Sequence, residues 1–234
     1  MGRSTTAADC RKIVSMPLIT FEGSEGCGKS TQLKRLATRL ENAGIRPLVL
    51  REPGGTAIGE AIRHLLQHSE ENHGMTAETE LLLFDASRSQ LVREKIQPAL
   101  TRGEWVICDR FFDSTTVYQG AARNLDSKLV KNLNAFAVGD RVPDLTFVLD
   151  IDRGTAQSRL GNRTKIRDRL EEDAFHERVI QAYRDLAKNE PKRVVQIDGR
   201  VSPDAIEQQV WHELVDRFPV LASYQTSKIS HQPS

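Results

Sequence analysis

The chain has 234 residues, 38% of them hydrophobic, and carries 33 Lys and Arg against 32 Asp and Glu, a formal net charge of +1. That length suits one globular α/β domain with a buried core, and the near-balance of charge excludes a global attraction to nucleic acid or acidic membranes, so anion binding has to be local. The three cysteines, Cys10, Cys27 and Cys108, are odd in number and lack metal-ligand spacing, which suits a reduced cytosolic protein better than a disulfide framework, and no run approaches the roughly 20 apolar residues of a membrane span.

Residues 1–16 contain MGRSTTAADCRK, which has some charge and no apolar h-region, and read as a flexible extension rather than a secretory signal. The domain is expected over 17–218. Leu18 to Glu22 is apolar and strand-like and is followed by a burst of glycine. The stretch Gly23-Ser24-Glu25-Gly26-Cys27-Gly28-Lys29-Ser30 fits GxxxxGK[ST], and helical spacing of Leu33, Leu36 and Leu40 follows it. Glycine lets such a loop turn its backbone N–H groups inward around phosphate oxygens, and the following helix adds its positive end. The nucleotide contacts are therefore expected from Gly23 through Thr31. Lys29 should reach the β- and γ-phosphates of a nucleoside triphosphate, and Ser30 should offer its hydroxyl to Mg²⁺. Cys27 reads as a small filler.

Pro47 to Arg51 is a second strand and runs into REPGGT, which puts Arg51 at a strand end before a proline and two glycines. Ile58, Ile62, Leu65 and Leu66 have helical spacing, and a longer helix spans Glu78 to Leu100. On it Phe84 and Arg88 are four apart and share a face. They could stack a base and bond its carbonyl edge, or Phe84 could be core beside Leu81. His64, His68 and His73 read as helix-surface or loop residues. Trp105 to Asp109 is a third strand, ending in CDRFFDSTTVYQG, which supplies Asp109 and Arg110. Asp126 should cap a helix carrying Leu129, Val130, Leu133 and Phe136.

Leu145 to Asp150 and Val194 to Asp198 complete five strands, and strands alternating with helices predict a parallel sheet covered on both faces. The charged strand ends Glu22, Arg51, Asp109 and Asp150 would then gather along the carboxyl edge, where such sheets bind ligands. Between the last two strands, SRLGNRTKIRDRLEE concentrates Arg159, Arg163, Lys165, Arg167 and Arg169; by charge alone such a run reads as a solvated face. The polar run at 219–234 reads as a disordered tail.

A guanine reader of the NKxD type is absent, which disfavours a regulatory GTPase. Two strand-end arginines beside a phosphate loop favour a kinase with an acceptor-phosphate clamp, because a guanidinium fork matches phosphate oxygens. The motifs FEGSEGCGKST, REPGGT, LLLFDASR, VICDRFFDSTTVYQG, PDLTFVLD and RDRLE, in this order, resemble the thymidylate kinase family from about Leu18 to about Phe218. The resemblance implies a P-loop nucleoside monophosphate kinase fold, a five-stranded parallel sheet with helices on both faces and a short lid over about 158–170. It implies transfer of the γ-phosphoryl of ATP to dTMP with Mg²⁺, which Ser30 and Asp109 would serve. It further implies that Arg51 and Arg110 hold the dTMP phosphate, that Phe84 stacks on thymine and that Arg88 reads its O4 edge. Tyr118 would lie under the deoxyribose, with Thr115 and Gln119 near base and sugar. Thr115 stands where relatives can have asparagine, and Phe111 where tyrosine or histidine is frequent.

The P-loop has no arginine of its own, which in this family goes with lid arginines: Arg163 first, with Arg159 and Arg167 close behind, joining Lys29, Asp109 and Arg110 as the catalytic set. Glu25 would face the acceptor sugar or a lid arginine. The resemblance also implies a cytoplasmic homodimer formed through Glu78 to Leu100 and Asp126 to Val138, with no nucleic-acid or membrane partner. The rival readings are another nucleoside monophosphate kinase, with altered base choice, and an ATP-binding regulatory module without transfer activity.

Overall fold

The computed structural model describes residues 16–160 and 173–221. Its elements in chain order are β1 (Leu18–Glu22), α1 (Lys29–Asn42), β2 (Leu48–Arg51), α2 (Ala57–Gln67), α3 (Ala77–Leu91), α4 (Gln97–Thr101), β3 (Val106–Asp109), α5 (Phe112–Thr115), α6 (Ser127–Val138), β4 (Leu145–Asp150), α7 (Arg153–Leu160), α8 (Asp173–Asn189), β5 (Val194–Asp198) and α9 (Pro203–Arg217). The five strands form one sheet in the order β2-β3-β1-β4-β5, with every neighbouring pair parallel. The expected strands are all present, two of them starting one residue later.

Alternation along the strands assigns each face its helices. Ile19 and Phe21 of β1, Ile107 of β3 and Leu145, Phe147 and Leu149 of β4 pack with Leu33, Leu36 and Leu40 of α1 and Ile206, Val210 and Leu214 of α9. On the opposite face Leu18, Val106 and Cys108 meet Leu91 of α3 and Val92 and Ile96 beyond it. Farther along that face Val148 and Val194 meet Val179 and Tyr183 of α8. Thr20 and Thr146 bring hydroxyls into the interior and satisfy one another at 2.7 Å. Leu221, in the run expected as a polar tail, is buried in the core with Phe218 packed beside it.

The helix expected over Glu78 to Leu100 is interrupted by a π-helical turn at Val92–Ile96 before α4. Pro98, in the first turn of α4, has no N–H to donate back to the preceding turn, and its ring crowds that turn's carbonyl; the wider turn accommodates it. Asp126 caps α6 as expected, its carboxylate accepting from Leu129 N at 2.7 Å. Of the apolar positions on α2, Leu66 is buried, while Ile58 and Leu65 are exposed.

Register decides what meets at the carboxyl edge. Asp109 lies opposite both Phe21 of β1 and Arg51 of β2, so the loops after all three strands leave side by side. Asp150 and Asp198 end β4 and β5 on the other flank. There Arg184 and Gln196 hold the Asp150 carboxylate and Arg200 holds Asp198.

Candidate active site

The loop from Gly23 to Gly28 joins β1 to α1 and is shaped by glycine for two separate reasons. Gly23 has φ 135°, and a Cβ there would sit 2.6 Å from Leu149 O. Gly28 has open space around it, but φ 101° places it in the left-handed region at the N-cap of α1. Lys29 folds back over the loop, its ammonium donating to Gly23 O at 2.9 Å and Ser24 O at 2.8 Å. Cys27 is fully buried behind it, in keeping with a filler. Ser30 donates to Asp109 Oδ2 at 2.7 Å, tying the phosphate loop to the end of β3.

A cavity of about 590 Å³ opens at this edge. From the P-loop, Glu25, Gly26, Lys29 and Ser30 line it; Gly23, Ser24, Cys27, Gly28 and Thr31 shape the loop and helix start without lining the cavity. Arg51, Asp109, Arg110, Phe84, Thr115, Tyr118 and Gln119 complete most of the expected set around the same space. Phe84 is half-buried on this wall and belongs to none of the core clusters among the described residues.

Arg110 departs from ordinary backbone, with φ 69° at a non-glycine position, strain of the kind that costs about 1–3 kcal/mol and persists only where the surroundings hold it. Its N–H donates to Phe21 O at 3.0 Å. Its guanidinium donates to Ser114 Oγ at 3.0 Å, Tyr183 OH at 3.2 Å and Tyr118 OH at 3.3 Å. The Glu22 carboxylate stands off at 4.0 Å. Buried Glu22 accepts from Phe111 N at 2.7 Å, Ser114 Oγ at 2.6 Å and Tyr183 OH at 2.8 Å. Burial pushes its carboxyl above the usual range, against the pull of Arg110. The Arg110 charge is thus held largely by neutral hydroxyls.

Arg51 is engaged differently: it donates to both Glu60 oxygens, at 2.8 and 2.7 Å. The Gly55 N–H, with help from Arg51, holds the Glu60 carboxyl below its ordinary value. Beside Arg51 stands Arg63, which also lines the cavity and donates to Pro53 O at 3.0 Å. Burial, and then repulsion from Arg51, lower its pKa, as crowded cations facing a space do. Sequence reading missed Arg63. The signal available was its place on the helix that starts directly after REPGGT.

The structure does not bring Arg88 to the cavity wall, where the resemblance had it reading the base. Its side chain is 1% exposed, and Glu52 takes Nε at 2.8 Å and Nη2 at 2.8 Å. Asp85 and Asn134 take Nη1 at 2.6 and 3.1 Å, and Phe111 O takes Nη2 at 3.4 Å. Those contacts account for all five donors of a guanidinium. Two buried carboxylates draw the charge inward, and spacing on one helix face could not reveal them. His68, exposed as expected, also lines the cavity, as does His176.

Thr115 Oγ1 is buried and has no hydrogen-bond partner among the described residues, a hydroxyl left over on the cavity wall. Arg159 at the end of α7 reaches Gly26 O at 3.5 Å, at the P-loop. Arg163 and Arg167, with Lys165 and Arg169, lie outside the described residues. Within those residues no helix is long and apolar enough to cross a membrane, and no group of three or more His, Cys, Asp or Glu is arranged to hold a metal.

A strand, a glycine-shaped phosphate loop and a helix, with cationic side chains across a cavity at the same sheet edge, define a P-loop kinase of small phosphorylated acceptors. The family model described as Thymidylate kinase matches residues 21–210. The chain is 47% identical over 208 residues to the thymidylate kinase of Geobacter sulfurreducens, covering 86% of this chain and 97% of that one. It is 41% identical over 194 residues to that of a Nostoc species, covering 82% and 92%. The solved thymidylate kinase of Ehrlichia chaffeensis superposes with a TM-score of 0.69 at 34% identity, over 86% of this chain and 98% of that chain. The chain belongs to the thymidylate kinase family.

Proposed function

We infer that this chain transfers the γ-phosphoryl group of ATP to dTMP, giving dTDP and ADP. The observation that carries the reading is the single cavity with Lys29 and the P-loop at one end and Arg51, Arg63 and Arg110 at the other. The accepting group is a phosphate oxygen, and a phosphomonoester with its second pKa near 6 is mostly dianionic at neutral pH. No general base is required, and neither His68 nor His176 is given one's role. The difficulty is bringing two polyanions into line, which positive charge and positioning overcome.

In this reading Lys29 leaves the carbonyls of Gly23 and Ser24 for the β- and γ-phosphates. Arg110, held on hydroxyls, takes the dTMP phosphate with Arg51 and Arg63. Phe84 stacks on the base, Tyr118 supports the sugar, and the partnerless hydroxyl of Thr115 bonds the base edge. Arg159 belongs to the cationic cover over the transferring group. Ser30 and Asp109 fit a hard divalent cation, since they bring a hydroxyl and a carboxylate oxygen together at 2.7 Å beside the phosphate loop. Mg²⁺ there would supply charge neutralisation to the β- and γ-phosphates. A cytoplasmic homodimer goes with the reading, supported by Leu82 of α3, 55% exposed, and Leu129 and Phe136 of α6, 48% and 78% exposed.

The test is acceptor-dependent ADP formation with dTMP, dUMP, dCMP, dGMP and AMP side by side. Preference for dTMP is the expected result. A different preferred acceptor returns the chain to another nucleoside monophosphate kinase, and ATP binding without acceptor-dependent turnover makes it a regulatory module.

A further inference from the structure

On α3, Glu80, Phe84 and Arg88 recur every four residues and so share one face. Phe84 lines the cavity and Arg88 turns inward, while Glu80 has a third partner. Its Oε1 accepts from Gln119 Nε2 at 2.7 Å, and both residues are almost fully buried, at 5% and 1% exposure. Arg123 holds the same carboxylate from another side, with Nη2 3.3 Å from Oε2 and Nε 3.4 Å from Oε1. Gln119 lines the cavity beside Thr115.

An amide can present either its NH₂ or its carbonyl to a ligand, and in isolation the two ends of Gln119 would be interchangeable. A carboxylate paired with arginine only accepts hydrogen bonds, so it can be met only by the NH₂ end. One N–H is taken by Glu80, and Oε1, on the other arm of the amide, is the acceptor the side chain can offer to the cavity. We propose that Glu80 is a positioning residue for base choice: by fixing the direction of the Gln119 amide it makes this wall an acceptor that selects a pyrimidine carrying N–H at ring position 3.

Resting on the dTMP reading, this gives the discrimination a physical source. Thymine and uracil have that N–H, whereas cytosine has a bare ring nitrogen there, and two acceptors face to face leave both unsatisfied in a buried site. Thr115 cannot make the distinction, because a hydroxyl rotates to donate or accept as required. The 5-methyl group that separates thymine from uracil plays no part in it.

The test compares kcat/KM for dTMP, dCMP and dUMP in the wild type and in Glu80→Gln, which keeps the shape but lets the Gln119 amide turn. Sites built to bond a polar group reject the mismatched analogue by up to about 10⁴-fold or more, so releasing the amide is expected to lower the dTMP:dCMP ratio by roughly tenfold or more. The dTMP:dUMP ratio should stay within about twofold, since both bases present the same N–H. Glu80→Asp keeps the charge beside Arg123 but is one carbon shorter, and it carries the same expectation if Glu80→Gln fails to fold. A dTMP:dCMP ratio unchanged in the folded variant, or both ratios falling together, overturns the proposal. A wild type that does not turn over dTMP overturns the functional reading, and this inference with it.

Discussion

The two ends of the cavity are built from different material. At the nucleotide end the phosphate-facing unit is a short loop whose shape comes from glycine conformations at Gly23 and Gly28 and from the start of α1. At the monophosphate end the cations are side chains already engaged with other parts of the chain: Arg51 on Glu60 and Arg110 on Ser114, Tyr118 and Tyr183. A backbone device depends on a few consecutive residues. A side-chain device depends on partners up to 161 positions apart, as Tyr183 and Glu22 are. The first should therefore fail as a whole when one member changes, and the second in graded steps.

The largest expected effect lies at the nucleotide end. In the proposed reaction Lys29→Met removes the ammonium assigned to the transferring group, and kcat should fall about 10²- to 10³-fold, the range seen when one preorganised charge-stabilising donor is removed. The KM for dTMP should change little, because Lys29 is not part of the opposite wall. A variant with normal kcat in steady-state ADP release would break the comparison at its first step.

At the other end the two arginines should not be equivalent. Loss of a charge-assisted bond at about 1.5–3 kcal/mol corresponds to roughly 10- to 100-fold in affinity, the rise expected in the dTMP KM for Arg110→Ala. Arg51 shares its charge with Glu60 and is half exposed, so Arg51→Ala should raise KM less. Equal effects would mean that the Glu60 pair gives way fully on binding.

A smaller effect separates holding from touching. Tyr183→Phe deletes a hydroxyl that bonds Glu22 at 2.8 Å, Ser114 at 3.1 Å and Arg110 at 3.2 Å, while Glu22 keeps Ser114 and Phe111 N. One hydrogen bond of about 1 kcal/mol amounts to roughly a fivefold rise in the dTMP KM, with kcat unchanged. A lower melting temperature with an unaltered KM would make Tyr183 structural only.

The same contrast accounts for what could be read without coordinates. The five strands were legible because each is a short apolar run ending in charge, and the P-loop because its pattern is contiguous. Arg51 and Arg110 were legible as strand ends, but their partners Glu60 and Tyr183 were not, since no local pattern encodes which carboxylate or hydroxyl a guanidinium meets. Arg88 is a further case: helical spacing puts it on the face of Phe84, while its pairing with Glu52 and Asp85 is visible only in the fold. Arg63 and His68 reach the cavity through the packing of α2 and the turn beyond it, which a single apolar stripe on that helix does not determine.

A last effect, on stability rather than on turnover, concerns the base of the monophosphate end, where Glu52 follows Arg51. Burial pushes the Glu52 carboxyl up to about 7, against Arg88, with Glu22 and Asp85 raising it further. A carboxyl that titrates higher in the folded chain than its ordinary value of about 4.5 keeps a proton on folding that the unfolded chain has lost. Its contribution to stability is therefore greatest below about 4.5 and declines as pH rises toward about 7. Glu52→Gln, which leaves Arg88 its bond to Asp85, should remove that decline. The difference in slope between variant and wild type in this window should approach one proton, about 1.4 kcal/mol per pH unit at most. Glu22 and Asp85, also raised by burial, remain in both proteins; because each also raises Glu52, the difference reports the response of this carboxyl cluster to losing Glu52. Parallel stability curves from denaturant titrations at pH 5 to 8 would show that Glu52 stays ionised beside Arg88, and that this end of the cavity rests on a fully charged pair.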